Sequence, residues 1–310
     1  MRFRSCAKLN LHLEVLRRRA DGYHDLRTVF QTIDLADEIL LATTAAPGIS
    51  LAIEGQDLPC DRRNLAWRAA EAFLARYGGL PGGRGLHIGL VKRVPAGGGL
   101  GGGSANAATV LIGLARLAGR EPFAGDFARD LAGLGAGLGA DVPFFLVGGV
   151  ALGHGRGDRI EPLDDLPPLP VVVAWPGSGL STAEVYRRAR AGLTAIGPAS
   201  KMRRFLSRLR PSESDIPAPF NDLYPAAADL APAVQRLAGR LSALGGRGGM
   251  TGSGSAVFGL FTDERAAADA AERLGNDEPG AWVRAARTLP RRDLAARRIV
   301  EDRDGRIAAP

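Results

Sequence analysis

Apolar and polar positions along the chain fall into two periods. Ala7, Leu9, Leu11, Leu13 and Val15 alternate with Lys8, Asn10, His12 and Glu14. A period of two predicts a strand with two unlike faces. The apolar face belongs to the core. On the polar face His12 and Glu14 read as ordinary solvated positions, while Lys8 and Asn10 stay open between solvent and a polar ligand. Residues 26–35 and 86–91 predict further strands. Asn64 reads as the N-cap of a helix to Tyr77 carrying Leu65, Ala69, Ala72 and Phe73, stopped by Gly78-Gly79. Ala107, Val110, Leu111, Leu114 and Leu117 predict a helix ended by Gly119, and Phe127, Leu131, Leu134 and Leu138 predict another over 126–138. The low-complexity connector Leu166-Pro167-Pro168-Leu169-Pro170 suggests a domain boundary, and beyond it come an apolar strand, 171–175, and a helix opened by the capping box Ser181-x-x-Glu184. Leu230, Val234, Leu237, Leu241 and Leu244 predict a longer helix stopped by Gly245-Gly246. A strand at 256–261, a helix over 263–274 and a strand at 282–286 follow. From about Pro290 the chain is charged and aperiodic, and reads as a frayed tail.

Two glycine-rich stretches interrupt these patterns. The first, Pro95-Ala96-Gly97-Gly98-Gly99-Leu100-Gly101-Gly102-Gly103-Ser104-Ala105-Asn106, joins a strand directly to a helix. Bare amides at the positive end of a helix dipole make a site for phosphate. Gly97, Gly99 and Gly102 satisfy G-x-G-x-x-G, but no acidic residue ends a following strand as a dinucleotide fold requires. The Walker pattern fits from Gly97 to Ser104, except that Gly103 stands where its lysine should be. The H-R-D and D-F-G elements of protein kinases do not occur. What remains is a nucleotide cradle of amides, with catalytic charge brought from elsewhere in the chain. The second stretch, Gly248 to Ser255, precedes the strand at 256–261.

Three more features carry candidate chemistry. Arg19-Ala20-Asp21-Gly22-Tyr23-His24 contains a strong turn signal and puts an aromatic ring beside an imidazole. Such a pair serves a stacked base, or is incidental to the turn. Asp141, in Gly139-Ala140-Asp141-Val142-Pro143-Phe144-Phe145, sits among apolar residues where a helix must end before Pro143. A carboxylate there is a cap, or it is paired and working.

Composition narrows the class. At 310 residues and 45% apolar content the chain builds one large domain or two modest ones, packed mainly by Leu, Ala and Val. A net charge of +7 raises nucleic acid or anionic lipid as partners. Much of the excess lies in Arg187, Arg188 and Arg190, in Arg203, Arg204, Arg208 and Arg210, and at the C-terminal end. A polyanionic small substrate accounts for it equally, so neither nucleic acid nor membrane is expected as a partner. Cys6 and Cys60 make no disulfide framework, and four histidines make no zinc pattern. No apolar run approaches the ~20 residues of a membrane span. The reading is a cytoplasmic protein with reduced thiols.

The first glycine loop, Gly-Ala-Asp-Val-Pro-Phe-Phe and Thr251-Gly-Ser-Gly-Ser-Ala resemble the three signatures of the GHMP small-molecule kinases. Ala7-Lys8-Leu9-Asn10-Leu11, the Asp-Gly-Tyr-His turn and Gly-Gly-Gly-Leu-Gly-Gly-Gly-Ser are similar to the branch of that family whose acceptor is 4-diphosphocytidyl-2-C-methyl-D-erythritol. The likeness covers about residues 1–288. It implies an α+β fold of two domains with mixed sheets and helices, 1–165 holding ATP and 166–289 following, with the active site in the cleft between them and 290–310 a flexible tail. It also implies phosphorylation of an acceptor hydroxyl by ATP with Mg2+ carried on the nucleotide, and no dedicated protein metal site. Asp141 matches the general base and Lys8 its cationic partner. Pro95 to Ala105 match the ATP-binding stretch, the Gly97 to Ser104 amides cradling the phosphates and Ser104 turned to magnesium or phosphate. The branch often has a second serine where this chain has Ala105, which an amide cradle does not need. Asn64 matches a residue on the adenine side, alongside its N-cap reading. Asn10, Tyr23, His24, Thr182 and Tyr186 match acceptor contacts, the aromatic and imidazole groups taking the cytosine.

Overall fold

The computed structural model describes residues 1–80, 84–189, 201–209, 217–297 and 299–301. The chain opens with a long antiparallel pair, β1 (Arg2–Arg18) and β2 (His24–Thr44), joined by the Asp21-Gly22 turn. Then come β3 (Ile49–Glu54), α1 (Leu65–Tyr77), β4 (Gly85–Val91), α2 (Gly102–Leu117), α3 (Gly125–Leu138), α4 (Val142–Val147), β5 (Val150–Gly155) and β6 (Arg159–Pro162). The rest supplies β7 (Pro170–Trp175), α5 (Thr182–Arg188), α6 (Lys201–Arg208), β8 (Phe220–Asn221), α7 (Tyr224–Leu230), α8 (Pro232–Ala243), β9 (Arg247–Met250), β10 (Val257–Leu260), α9 (Glu264–Asp277), β11 (Trp282–Arg287), α10 (Arg291–Arg297) and β12 (Ile299–Glu301).

Among the described residues the strands form two mixed or antiparallel sheets flanked by helices. The larger runs β12-β1-β2-β4-β3, with β5 and β6 added on β2 and β8 on β1. The free edge of β2 is shared: Leu26–Gln31 pairs with β5 and Glu38–Thr44 with β4. The smaller sheet runs β11-β7-β10-β9. One core packs α1, α2 and α4 on the larger sheet through Phe3, Phe30, Phe73, Leu111 and Phe144. A second places Ala7, Leu9 and Leu11 of β1 against Val171, Val173 and Phe258 of the smaller sheet. β1 is therefore the seam between the two sheets. It is buried on both faces from Ser5 to Val15.

That double burial overturns the solvated reading of His12 and Glu14, which are 2% and 0% exposed. His12 lies between the rings of Phe205 and Phe220. Glu14 accepts from the backbone N–H of Met202 and the guanidinium of Arg27. A later segment, α6 with β8, covers a face that local alternation assigns to water. Four other expectations shift. The helix expected from Leu230 to Leu244 starts at Pro232 as α8, and Leu230 instead ends the unexpected α7, because Pro232 has no N–H to continue that helix. The first half of the second glycine stretch is strand β9, paired with β10. The Pro-rich connector does separate β6 from β7, yet β8 and β12 come from beyond it and pair with β1. Beyond Pro290 the chain forms α10 and β12 before leaving the described residues; Arg190 and Arg210 also lie outside them.

Candidate active site

The two glycine loops meet above β1. The first is tied to that strand by Lys8 N–H donating to Leu100 O at 3.0 Å, and to the second loop by Ala256 N–H donating to Gly98 O at 3.0 Å. Their backbones lie so close that a Cβ at Gly99, where φ is +77°, would stand 2.2 Å from Thr251 O. A side chain at this position would separate the loops. The Gln56 side chain clamps the outer end of the first loop, donating to Val94 O at 3.0 Å and accepting from Ala96 N–H at 3.1 Å. The loop then turns through Gly101, φ +72°, which is the N-cap of α2 and offers no side chain to its first amides. Those N–H groups remain free for an anion.

Lys8 points from β1 to the underside of this loop. Its ammonium donates to Gly99 O at 2.7 Å and Asn10 Oδ1 at 2.5 Å, and lies 3.8 Å from Asp141 Oδ2. Asp141 occupies the N-cap position of α4, but its carboxylate makes no capping bond and keeps 33% of its surface. The capping alternative therefore falls, and the carboxylate is left to the cavity. Burial pushes the Lys8 ammonium below the ordinary lysine value, and the Asp141 charge opposes that shift. The unfolded chain then binds the extra proton between the lowered value and 10.5, so this group adds stability as pH rises through that window and subtracts it below. The same shift bears on catalysis. The alkaline loss of kcat is expected below pH 10.5, and an NMR titration of the Lys8 ammonium should coincide with it. A kcat flat to that pH would contradict the requirement for the charge.

A cavity of about 720 Å³ runs from Lys8 and Asp141 to Tyr23, His24 and Tyr186. Tyr23 projects from the turn, where Asp21 Oδ1 accepts its N–H at 3.1 Å. His24 opens β2 and stacks on Tyr186, with centroids 4.9 Å apart and planes at 27°. Burial, with the Asp141 charge second, raises the Tyr186 phenol above its usual range. Thr182, at the start of α5, shares a 2.8 Å hydrogen bond with Ser253 of the second loop. Ser181 accepts from Glu184 N–H, while the Glu184 carboxylate turns to Arg187, so only half of the capping box forms.

Two expected site residues have structural duties. Asn64 Oδ1 accepts from Ala66 N–H and its Nδ2 donates to Pro59 O, so its amide is used by the cap and the preceding turn. Asn10 lines the cavity, but its Oδ1 accepts from Lys8, Thr251 and Gly252, and its Nδ2 donates to Thr28. It is a bracket for Lys8. Pattern reading missed Thr251, fully buried, whose hydroxyl lies 3.1 Å from both Gly99 O and Asn10 Oδ1. It missed Asn221, which donates to Met250 O and Gly252 O and fixes the second loop. It also missed the buried pair Lys92–Asp37, whose carboxylate accepts from Arg93 and Val94 N–H just before the first loop. Asp37, with Asp34 and Glu38 beside it, carried no local signal that set it apart.

The chain matches the GHMP kinases N terminal domain over residues 64–149 and the GHMP kinases C terminal domain over residues 207–279. A 4-diphosphocytidyl-2-C-methyl-D-erythritol kinase from a Geobacter species is 42% identical over 90% of this chain and 95% of its own. The chain belongs to the 4-diphosphocytidyl-2-C-methyl-D-erythritol kinase family, within the GHMP kinases. A crystal structure of a 4-(cytidine 5'-diphospho)-2C-methyl-D-erythritol kinase agrees, with a TM-score of 0.76 and 39% identity over 93% of this chain and all of that one. The homoserine kinase of Cytophaga hutchinsonii shares the fold alone, at a TM-score of 0.62 and 19% identity over 93% of this chain and 95% of that one. The fold of this kinase family thus agrees with a cleft that brings the Lys8–Asp141 pair beneath an amide-rich helix start.

Proposed function

We infer that this chain is an ATP-dependent kinase that phosphorylates the 2-hydroxyl of 4-diphosphocytidyl-2-C-methyl-D-erythritol, giving the 2-phosphate, a step of mevalonate-independent isoprenoid precursor biosynthesis carried out in the cytoplasm. The observation that carries the reading is a single cavity with a Lys8–Asp141 pair at one end and Tyr23, His24 and Tyr186 at the other. The acceptor has a reacting alcohol at one end and a cytosine at the other. The free amides of Gly102, Gly103 and Ser104 hold the ATP phosphates, and Asp141 receives the hydroxyl proton. A carboxylate is a weak base for an alcohol, so it accepts the proton late, as the phosphoryl group moves. Lys8 keeps that carboxylate ionised and orients the hydroxyl. Placement and charge stabilisation supply most of the rate.

Magnesium fits the donor set. A Cβ at Gly139 would stand 3.8 Å from Ser104 Oγ, so this hydroxyl lies beside the turn that carries Asp141. A hydroxyl is a hard oxygen ligand of the kind Mg2+ takes when phosphates fill the rest of its shell. Ser104 would touch the ion carried on the nucleotide, and the charge of that ion would neutralise the phosphates.

ADP release measured with a panel of alcohols tests the assignment. Turnover is expected with the cytidine diphosphate ester and not with homoserine or mevalonate. Base–aromatic stacking supports roughly a ten- to hundredfold rise in acceptor KM for Tyr23→Ala. His24→Ala should act in the same direction, and ATP KM should stay near its parent value in both. Equal rises for both substrates would remove the cytosine from this end of the cavity.

A further inference from the structure

Tyr23 is 58% exposed, the most exposed large apolar side chain among the described residues. A ring so free must give up rotamer freedom each time it stacks on a base, which weakens binding. A single planar cation restrains it here. The Arg156 guanidinium lies 5.2 Å from the Tyr23 ring centroid. Arg156 is itself fixed. Its Nε and Nη2 donate to Asp158 Oδ2 at 3.0 and 2.8 Å, and its backbone N–H donates to Asp158 Oδ1 at 3.2 Å. Both residues belong to the tight turn between β5 and β6, closed by Gly157 N–H donating to His154 O at 3.0 Å. The strand leading into it is paired to β2, the strand that His24 opens. Arg156 thus stands on a rigid hairpin and lines the same cavity.

We propose that Arg156 is a positioning residue for the acceptor: stacked on one face of Tyr23 and oriented by Asp158, it holds the ring so that the opposite face meets the pyrimidine. The inference rests on the reading of Tyr23 as a base-holding residue. Cation–π contact with an exposed ring is modest, and its whole effect falls on acceptor binding. Arg156→Ala is therefore expected to raise acceptor KM roughly three- to tenfold while kcat and ATP KM stay near their parent values. Lysine has no planar fork to stack and bind Asp158 together, so Arg156→Lys should rescue only part of the loss.

The deciding measurement is a cycle of Tyr23→Ala, Arg156→Ala and the double variant in the full chain, with steady-state constants for both substrates. The double variant should be no worse than Tyr23→Ala, since Arg156 then has no ring to hold. An independent, multiplied rise overturns the proposal and gives Arg156 a direct contact with the acceptor, its diphosphate being the obvious anion. Acceptor KM unchanged in Arg156→Ala but raised in Tyr23→Ala also overturns it. An unchanged KM in Tyr23→Ala defeats the base reading instead. Asp158→Asn, which frees the guanidinium without removing it, should reproduce a smaller share of the Arg156→Ala effect, and supplies the test if that variant does not fold.

Discussion

Asp141→Asn should lower the single-turnover rate of ADP formation by about a hundred- to ten-thousand-fold, the range a positioned general base contributes. The substitution keeps the size of the side chain and removes its charge and basicity. It has little structural work to disturb. The carboxylate caps no amide, keeps a third of its surface, and meets the Lys8 ammonium at 3.8 Å, beyond hydrogen-bond length. The fold should persist with a modestly lower melting temperature, because the buried Lys8 ammonium loses its opposing charge, while KM for both substrates stays near that of the parent. Single turnover matters because product release can hide a slowed chemical step. A rate within a few-fold of the parent would end the assignment of Asp141 as base. It would leave the rate to the amide cradle and to Lys8. A second consequence is independent of turnover: with the Asp141 charge gone, burial acts on Lys8 unopposed, so its ammonium should titrate lower still in this variant.

The sequence carried the parts of this site that are local. A strand, a run of glycines and a patterned helix announce an anion site because each is a matter of neighbours. Asn64 could be read as a cap because its partner, Ala66, is two residues away. The alternation of β1 put Lys8 and Asn10 on one face, and both do line the cavity. The same alternation failed at His12 and Glu14, on that same face. Nothing nearby says that α6 and β8, some two hundred residues later, will cover them. Thr251, Asn221 and the Lys92–Asp37 pair were illegible for the same reason. Each acts through a partner distant in sequence, and a threonine in a glycine-rich stretch, or an asparagine beside an aspartate, looks like ordinary turn chemistry. Arg156 was hidden in another way. Arginine is abundant in this chain, and only its position over Tyr23 distinguishes this one from those on helix surfaces.

The seam position of β1 joins fold to chemistry. Its apolar side residues hold the smaller sheet, while Lys8, two positions from Asn10, ties the first glycine loop and the second through Gly99 and Thr251. The site is thus built where the two sheets meet, and the ammonium of Lys8 there also bonds both glycine loops. Deep burial of a charge at such a point costs stability, which the fold accepts for the sake of a fixed ammonium.

Lys8→Met separates those two roles. The side chain is 2% exposed, and methionine fills nearly the same volume without charge. Its former partners stay bonded: Gly99 O keeps the Thr251 hydroxyl at 3.1 Å, and Asn10 Oδ1 keeps Thr251 and the Gly252 N–H at 2.7 Å. Asp141, a third exposed, can turn to water rather than remain a buried lone charge. Stability should therefore hold or rise, by up to a few kcal/mol, as when other buried ions are replaced by apolar groups. Activity should do the opposite. Losing a preorganised cation beside the developing charge lowers kcat by about a hundred- to a thousand-fold. ATP KM should change little, because the α2 amides remain in place. Thermal unfolding and single-turnover ADP formation on one preparation read both effects. A variant that is inactive and also unfolds many degrees earlier would make Lys8 chiefly a structural tie between the loops, and one that keeps its rate would leave Asp141 without need of a partner.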